Sequence, residues 1–361
     1  MYDALVVGTG PAGATAAFLL AKSGLKTAII DKRTLPRKKV CGGLITAHCT
    51  AQIKSLFGME IPTEVHVEPP VLTERVVPPS GRENGFHNPS NHIRNVDRGR
   101  FDYWLTRMAL REGASLFSPV ELADIRENKS GLVVRFRAQG DIVSMGADYL
   151  IGADGVYSTC RKELFGGPPQ RTISVMQEYY EDRGAFGNSF YLFFKGEISP
   201  IYAYVVPKDG HTLLGLGVHR SLGPTAHVGL SRFRKWLYEE YGYEAAKFVC
   251  REGWSIPFGD VAYGKGRVLL VGDAGGFCEP FTGEGIYFGI ESAKAAAMAI
   301  LSKQEGPGSI ADGYRAIADP IGRKMQDITD YVLTLTDEER ERRIQAKQAM
   351  LARESKVSVV T

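Results

Sequence analysis

The sequence predicts an α/β protein: a Rossmann-like nucleotide-binding domain interleaved with a smaller antiparallel β-sheet domain, with a helical C-terminus. Three observations predict it. The stretch Tyr2 to Asp31 reads as strand, glycine turn, Ala-rich helix and second strand. Two later apolar runs, Tyr149-Leu150-Ile151-Gly152 and Arg267-Val268-Leu269-Leu270-Val271-Gly272, each end in an acidic residue, Asp154 and Asp273. Between Ile173 and Val218 the pattern changes to short strands rich in aromatic residues, which suits a twisted antiparallel sheet.

In the first stretch a strand (Ala4 to Val7) runs into Gly8-Thr9-Gly10-Pro11-Ala12-Gly13, then a helix from Ala14 to about Ser23, Gly24 as its stop, and a strand Thr27 to Ile30. Gly8 permits a tight turn, Gly10 lets the backbone approach a pyrophosphate, and Gly13 lets the helix pack closely on the strand. The helix N-terminus offers free N–H groups to phosphates. Asp31, about twenty residues past the glycines, is placed to accept hydrogen bonds from ribose hydroxyls. A glycine turn alone also occurs in proteins that bind no nucleotide. Here the strand, helix and acid agree on a dinucleotide, and they suit NAD and FAD equally.

The chain has 361 residues, enough for one large or two interleaved domains. A net charge of +3, with no basic run interleaved with aromatics, argues against a nucleic-acid partner. No run of apolar residues is long enough for a membrane span. The first strand begins almost at Met1, leaving no room for a signal peptide. Five scattered cysteines, with no paired metal-type spacing, suggest a reduced cytoplasmic protein without a metal site.

Asp31 is followed by a basic loop, Lys32, Arg33, Arg37, Lys38 and Lys39, read as solvated or as facing the nucleotide phosphates. Next come Cys41-Gly42-Gly43, a helix through Lys54, and a Pro- and Gly-rich segment from Pro62 to Asn95 expected to hold short strands and long turns. A helix opens near Asp97 and ends at Gly113, with Phe101, Leu105, Met108 and Ala109 as its core face. A strand, Ser115 to Val120, follows, then a hairpin of Leu132–Phe136 and Ile142–Ser144. Later come a helix Gly229 to Tyr241 and an Ala-rich helix Ile286 to Ser302. The charge-rich segment from Asp337 to Lys356 reads as a fraying, solvated helix, or as a membrane-surface helix with few apolar residues. The expected domains are residues 1–61, 96–170 and 259–310 for the nucleotide, 62–95 and 171–258 for the substrate, and 311–361 as C-terminal helices.

Three separated blocks carry a family resemblance. They are the Gly8–Gly13 turn with Asp31; Gly152-Ala153-Asp154-Gly155-Val156-Tyr157-Ser158-Thr159-Cys160-Arg161; and Gly272-Asp273-Ala274 with Pro280-Phe281-Thr282-Gly283-Glu284-Gly285. Arg98 with Phe101-Asp102 is a fourth, weaker element. In this order they resemble the FAD-dependent aromatic hydroxylase superfamily, whose FAD domain is of the glutathione-reductase type. The resemblance implies FAD held by Gly8, Gly10, Pro11, Ala12, Gly13, Asp31, Lys32, Arg33, Arg98, the backbone at Val120, Ala153, Asp154, Gly155, Ser158, Gly272, Asp273, Gly283, Gly285 and Ile286. The Gly285 and Ile286 amides would face the flavin edge that turns negative on reduction. No second glycine fingerprint follows a later strand, so electrons come from outside: NAD(P)H, ferredoxin or another carrier.

Within that superfamily Cys41-Gly42-Gly43 resembles a loop of the geranylgeranyl reductase family, where it lies beside the flavin. Tyr202-Ala203-Tyr204-Val205-Val206-Pro207-Lys208 is close to that family's substrate-pocket strand, with Tyr204 and Val206 where Trp and Phe are usual. The implied reaction is hydride transfer from N5 of the reduced flavin to a carbon–carbon double bond of a prenyl lipid, with a proton delivered to the neighbouring carbon. At about 0.8 kcal/mol per buried CH₂ such a chain could be drawn from a membrane, and peripheral contact at its inner face is left open. Cys41, Tyr202, Tyr204 and Glu284 are the catalytic candidates, with His48 behind them. Cys41 tunes the flavin, donates the proton or simply packs. Tyr191, Phe193, Tyr202 and Tyr204 line a lipid tunnel or form an ordinary sheet core. Rival readings are a flavin monooxygenase of aromatic or polyketide substrates and a non-catalytic prenyl-binding escort.

Overall fold

The computed structural model describes residues 1–169, 171–219, 221–302 and 309–357. It separates into two compact units: Met1–Lys39, Arg98–Thr172 and Ile256–Asp330 form the first, and Val40–Asp97, Ile173–Ser255 and Tyr331–Thr361 the second. Three stretches differ from the expected boundaries, the last of them being residues from Tyr331 onward, which join the second unit instead of standing apart. Residues 40–61 belong to the second unit, because Leu44 pairs with Asn95 and the Val96 amide donates to the Gly43 carbonyl (2.8 Å). Residues 311–330 belong to the first, where the buried Tyr314 hydroxyl donates to the Leu270 carbonyl (2.9 Å).

The first unit is built on a sheet whose central strands run in parallel in the order Ser115–Phe117, Thr27–Ile30, Tyr2–Val7, Asp141–Gly152, Val268–Leu270. These strands are apolar without alternation: Ala4, Leu5, Val6, Ala28, Ile29, Ile30, Leu150 and Ile151 are completely buried. That is the pattern of a sheet covered on both faces. The Asp141–Gly152 strand is longer than expected. Its second half joins the parallel sheet while its first half, Asp141 to Ala147, pairs antiparallel with Gly131–Ala138, so the run at Ile142 and the run at Tyr149 are one element. Helix Pro11–Lys22 packs on helix Gly285–Leu301 through small residues: a Cβ on Gly289 would stand 3.5 Å from the Ala12 Cβ.

The second unit is a mainly antiparallel sheet in the order Phe248–Pro257, Thr172–Glu181, His211–His219, Ala203–Lys208, Ser189–Phe193, His66–Val77, Phe86–Val96, Leu44–Ile45. The segment 62–95, expected to hold short strands and long turns, is instead a pair of strands twelve and eleven residues long. Irregular pairing between His66 and Val71 and between Thr73 and Glu74 lets prolines sit in the ladder. One sheet face packs on helix Ala226–Tyr241, with Phe193, Ala203, Val205, Leu214, Leu216, Phe233 and Trp236 in a common core. The other face gathers Leu72, Ile93, Phe190, Tyr204, Val206 and Leu213, with Leu44, Tyr179, Leu192 and Tyr202 at its margin.

The charge-rich Asp337–Val357 helix is not simply solvated, because its first turns dock on the second unit. The Gly196 amide donates to Asp337, and Arg340 and Ile344 are buried. Arg340 donates to the Pro200 carbonyl (2.5 Å).

Candidate functional site

In the first unit every predicted block lies at the carboxyl end of a neighbouring parallel strand. Gly8 follows Val7, Asp31 follows Ile30, Ala153-Asp154 follow Gly152, and Gly272-Asp273 close behind Leu270. Adjacent strand ends in a doubly wound sheet form the crevice where dinucleotides bind. The glycines behave as their spacing requires. Gly8 has φ +111°, and a Cβ there would meet the Ala153 carbonyl oxygen at 2.2 Å. A Cβ on Gly13 would stand 2.0 Å from the Gly8 oxygen. At Gly10 the nearest atom to a Cβ is an Arg37 guanidinium nitrogen at 3.9 Å, so the space above the turn is open and cationic. The Pro11–Lys22 helix starts there with no side-chain cap, leaving N–H groups for an anion.

Asp31, 6% exposed, is the electrostatic centre of this end. It accepts from the Thr9 amide (3.1 Å), the Thr9 hydroxyl, the Arg33 amide (2.9 Å) and Arg37 Nε (3.1 Å). Burial pushes its carboxyl up, but Arg37, Thr9 and the Arg33 amide outweigh that and hold it below the ordinary value. Asp102 receives Arg37 at 3.5 Å and a two-point grip from Arg98 (3.0 and 3.2 Å). Lys32 and Arg33 carry exposed side chains, and Arg33 acts through its backbone. The cation delivered to the cradle is Arg37, which the sequence reading noted only as one of a basic run. The Val120 amide donates to the Asp31 carbonyl (2.8 Å), so Val120 borders the same end.

Asp154 and Ser158 serve the local fold. Asp154 accepts from the Ser158 hydroxyl (2.5 Å) and the Thr159 amide (2.7 Å), and Ser158 caps the following helix through the Arg161 amide (2.9 Å). Arg161, 5% exposed, reaches the Asp260 and Ala274 carbonyls and so ties the second block to the third. Burial pushes the Asp273 carboxyl up, while Lys39 and Arg98 pull it back. A Cβ on Gly285 would be 3.3 Å from Asp273 Oδ1, which brings Asp273 to the uncapped start of helix Gly285–Leu301, where Ile286 follows. Gly283 has φ +70°, and Glu284 is that helix's N-cap residue without capping it by its side chain.

A glycine cradle under an uncapped helix, a held acid at the second strand and an uncapped helix beside a buried carboxylate fit both ends of FAD. The arrangement defines an FAD-dependent oxidoreductase. A model of the FAD binding domain family matches residues 1–175. The geranylgeranyl diphosphate reductase of Rhodobacter capsulatus is 32% identical over 320 residues, covering 83% of this chain and 76% of that protein. The chain belongs to the geranylgeranyl reductase family of FAD-dependent oxidoreductases. A solved geranylgeranyl bacteriochlorophyll reductase-like protein from Thermoplasma acidophilum superposes with TM-score 0.77 at 23% identity, over 95% of this chain and 90% of that one. The myxobacterial chondrochloren halogenase superposes with TM-score 0.70 at 19% identity, over 92% and 81%. These two likenesses speak to the fold.

In the second unit the structure brings Cys41 and Tyr204 together. Burial pushes the Tyr204 phenol up, with a smaller electrostatic contribution from Cys41, so the two residues lie within electrostatic range of each other. The half-buried Cys41 Sγ accepts from the Gly43 amide (3.4 Å). Tyr204 donates to Gln177 Oε1 (3.2 Å), and the buried Gln177 amide donates to the Tyr179 hydroxyl (3.0 Å) and Glu252 (3.1 Å). Tyr202 packs against Phe194 and Tyr204 with tilted rings, their centroids 5.9 Å from its own in each case. Gly215 lies opposite Tyr204, and a Cβ there would fall 2.2 Å from the ring. Gln177 and Gly215 were not singled out from the sequence, although a glycine inside a strand signals such a close approach.

The aromatic strands divide. Tyr202 and Tyr204 share the face carrying Leu72, Ile93 and Val206. Phe193 is 1% exposed on the opposite face, packed on Phe233 and Trp236, and Tyr191 packs beside it. Side chains alternate along a strand, so these two build the helix-covered core and not a tunnel. His48 is exposed, with a ring nitrogen 3.5 Å from the Thr46 hydroxyl.

Proposed function

We propose that the protein reduces carbon–carbon double bonds of an isoprenoid lipid, with FAD, when bound, supplying the hydride from N5. The observation that carries this reading is the second unit's apolar sheet face, where Tyr204 packs with Leu72, Ile93, Phe190, Val206 and Leu213 and lies within electrostatic range of Cys41. Such a surface binds a hydrocarbon chain by excluding water and offers few groups to orient a polar substrate. Identity to a named geranylgeranyl diphosphate reductase supports it further.

The residues divide the remaining work. Reducing an alkene needs a proton at the carbon next to the one that takes the hydride. Tyr204 is neutral throughout the physiological range and its proton is committed to Gln177, so it fixes the wall of the site. The Cys41 thiol is then the donor on that face. Tyr202 shapes the apolar surface beside it. In the first unit the helix starts at Gly10 and Gly285, with Arg37, hold the negative parts of the cofactor. Electrons enter from an external carrier, NAD(P)H or ferredoxin. The reading carries with it a cytoplasmic location with peripheral contact at the membrane inner face, where a lipid of this class is held.

The test is anaerobic photoreduction of the flavoprotein followed by challenge with polyprenyl lipids, quinones and aromatic acids. Reoxidation by a polyprenyl lipid is the expected outcome. Reoxidation only by O₂ in the presence of an aromatic acid would replace this reading with hydroxylation.

A further inference from the structure

We propose that Lys208 is a positioning residue that sets the reach of the Cys41 thiol, an inference that rests on the placement of Cys41 at the working face. Cys41-Gly42-Gly43 lies outside any helix or strand, and two consecutive glycines leave such a loop loose unless something holds it. Lys208 Nζ holds it. The ammonium donates to the Gly42 carbonyl (2.9 Å), the Val96 carbonyl (2.9 Å) and Asn95 Oδ1 (3.0 Å), one acceptor for each of its three N–H groups.

The acceptors are themselves fixed. Asn95 is completely buried, and its Nδ2 donates to the Pro69 and Pro207 carbonyls, both at 3.0 Å, which leaves only its oxygen to face Lys208. The Val96 amide donates back to the Gly43 carbonyl (2.8 Å). Gly43 has φ +71°, and a Cβ there would lie 2.2 Å from the Val96 oxygen and 2.7 Å from Lys208 Nζ, so the ammonium fills the space a larger residue would need. Lys208 ends the Ala203–Lys208 strand that also carries Tyr204. One strand therefore places the phenol wall through Tyr204 and the thiol through Lys208, and the spacing between them is built into its backbone.

The charge and the three-point geometry both matter. A guanidinium is planar and longer and cannot meet three converging acceptors in the same way. Lys208→Met keeps the stem and removes the donors.

The experiment measures alkylation of Cys41 by iodoacetamide in the FAD-loaded protein, in a Cys250→Ser background, since Cys49, Cys160 and Cys278 are buried. Lys208→Met should change the Cys41 rate by roughly tenfold or more, what one hydrogen bond to a charged group is worth. Flavin content should be unchanged. Lys208→Arg should fall on the side of Met, and serves alone if the Met variant does not fold. A lower melting temperature with an unaltered Cys41 rate would overturn the proposal and leave Lys208 a structural strap. The readout needs no lipid, so failure of the isoprenoid reading would show in turnover alone while the alkylation result stands.

Discussion

At the residue scale the proposal rests on two side chains, Asp31 for holding the nucleotide and Cys41 for the reaction. The folded carboxyl of Asp31 lies below its unfolded value of about 3.9. Its stabilising contribution is therefore fully present above that pH and is lost as pH falls through the folded value. Asp31→Asn should lower stability at neutral pH, and its difference from the parent should shrink progressively as pH falls below about 4; urea melts across pH measure this. Cys41→Ala removes the proposed proton donor, and turnover should drop about 10²–10⁴-fold, the range for general acids. Flavin content should be retained, because the nucleotide cradle at Gly8–Gly13 and Asp31 is left intact, and Cys41→Ser should keep part of the rate. An unchanged rate in the Ala variant would return Cys41 to packing. These residues were legible because glycine spacing and a Cys-Gly-Gly loop are local signals. Arg37, Gln177 and Lys208 were not, because each acts on partners distant in sequence: Arg37 on Asp102, Gln177 on Tyr204 and Glu252, Lys208 on Gly42 and Asn95.

At the scale of elements, legibility followed the apolar pattern. The parallel strands and the two Ala-rich helices were clear because they are apolar on every side or along one stripe. The long pair His66–Val77 and Phe86–Val96 was obscured by prolines and charges within it, which the irregular pairing absorbs. The Asp337–Val357 helix was misread because it docks through charged groups. Arg340 is 5% exposed and fastens by polar bonds, which no apolar periodicity reveals. Arg340→Ala should therefore cost about 1–3 kcal/mol, the penalty for stranding a buried acceptor, in contrast to a surface substitution; the urea midpoint measures it. Gly215→Ala forces the Tyr204 ring away and should destabilise by about 1–3 kcal/mol, as overpacking does. Its near-ultraviolet circular dichroism should change in the tyrosine region, and an unchanged spectrum with parental stability would show that the ring has room.

On the scale of the whole molecule, motifs spread over most of the chain fold into one purpose. Gly8 seats against Ala153, Arg161 reaches Ala274, and Gly272 sits on Ala12, so the three blocks interlock at the strand ends of the first unit. The second unit supplies an apolar sheet face that carries the buried Tyr204 phenol, with the Cys41 thiol within electrostatic range of it. This division, cofactor in one unit and hydrocarbon on the other, is the central claim, and the product of a turnover tests it most directly. The protein should be reduced anaerobically in deuterated water, given a polyprenyl lipid, and the product read by mass spectrometry and NMR. The account predicts a product that has gained two hydrogens at one double bond, with solvent deuterium at both of its carbons, since the N5 hydrogen of a flavin reduced in deuterated water is itself drawn from solvent, and slower formation of that product in Cys41→Ala. Recovery of unchanged lipid from protein that still reduces and reoxidises with O₂, or a product that has gained oxygen, would contradict it.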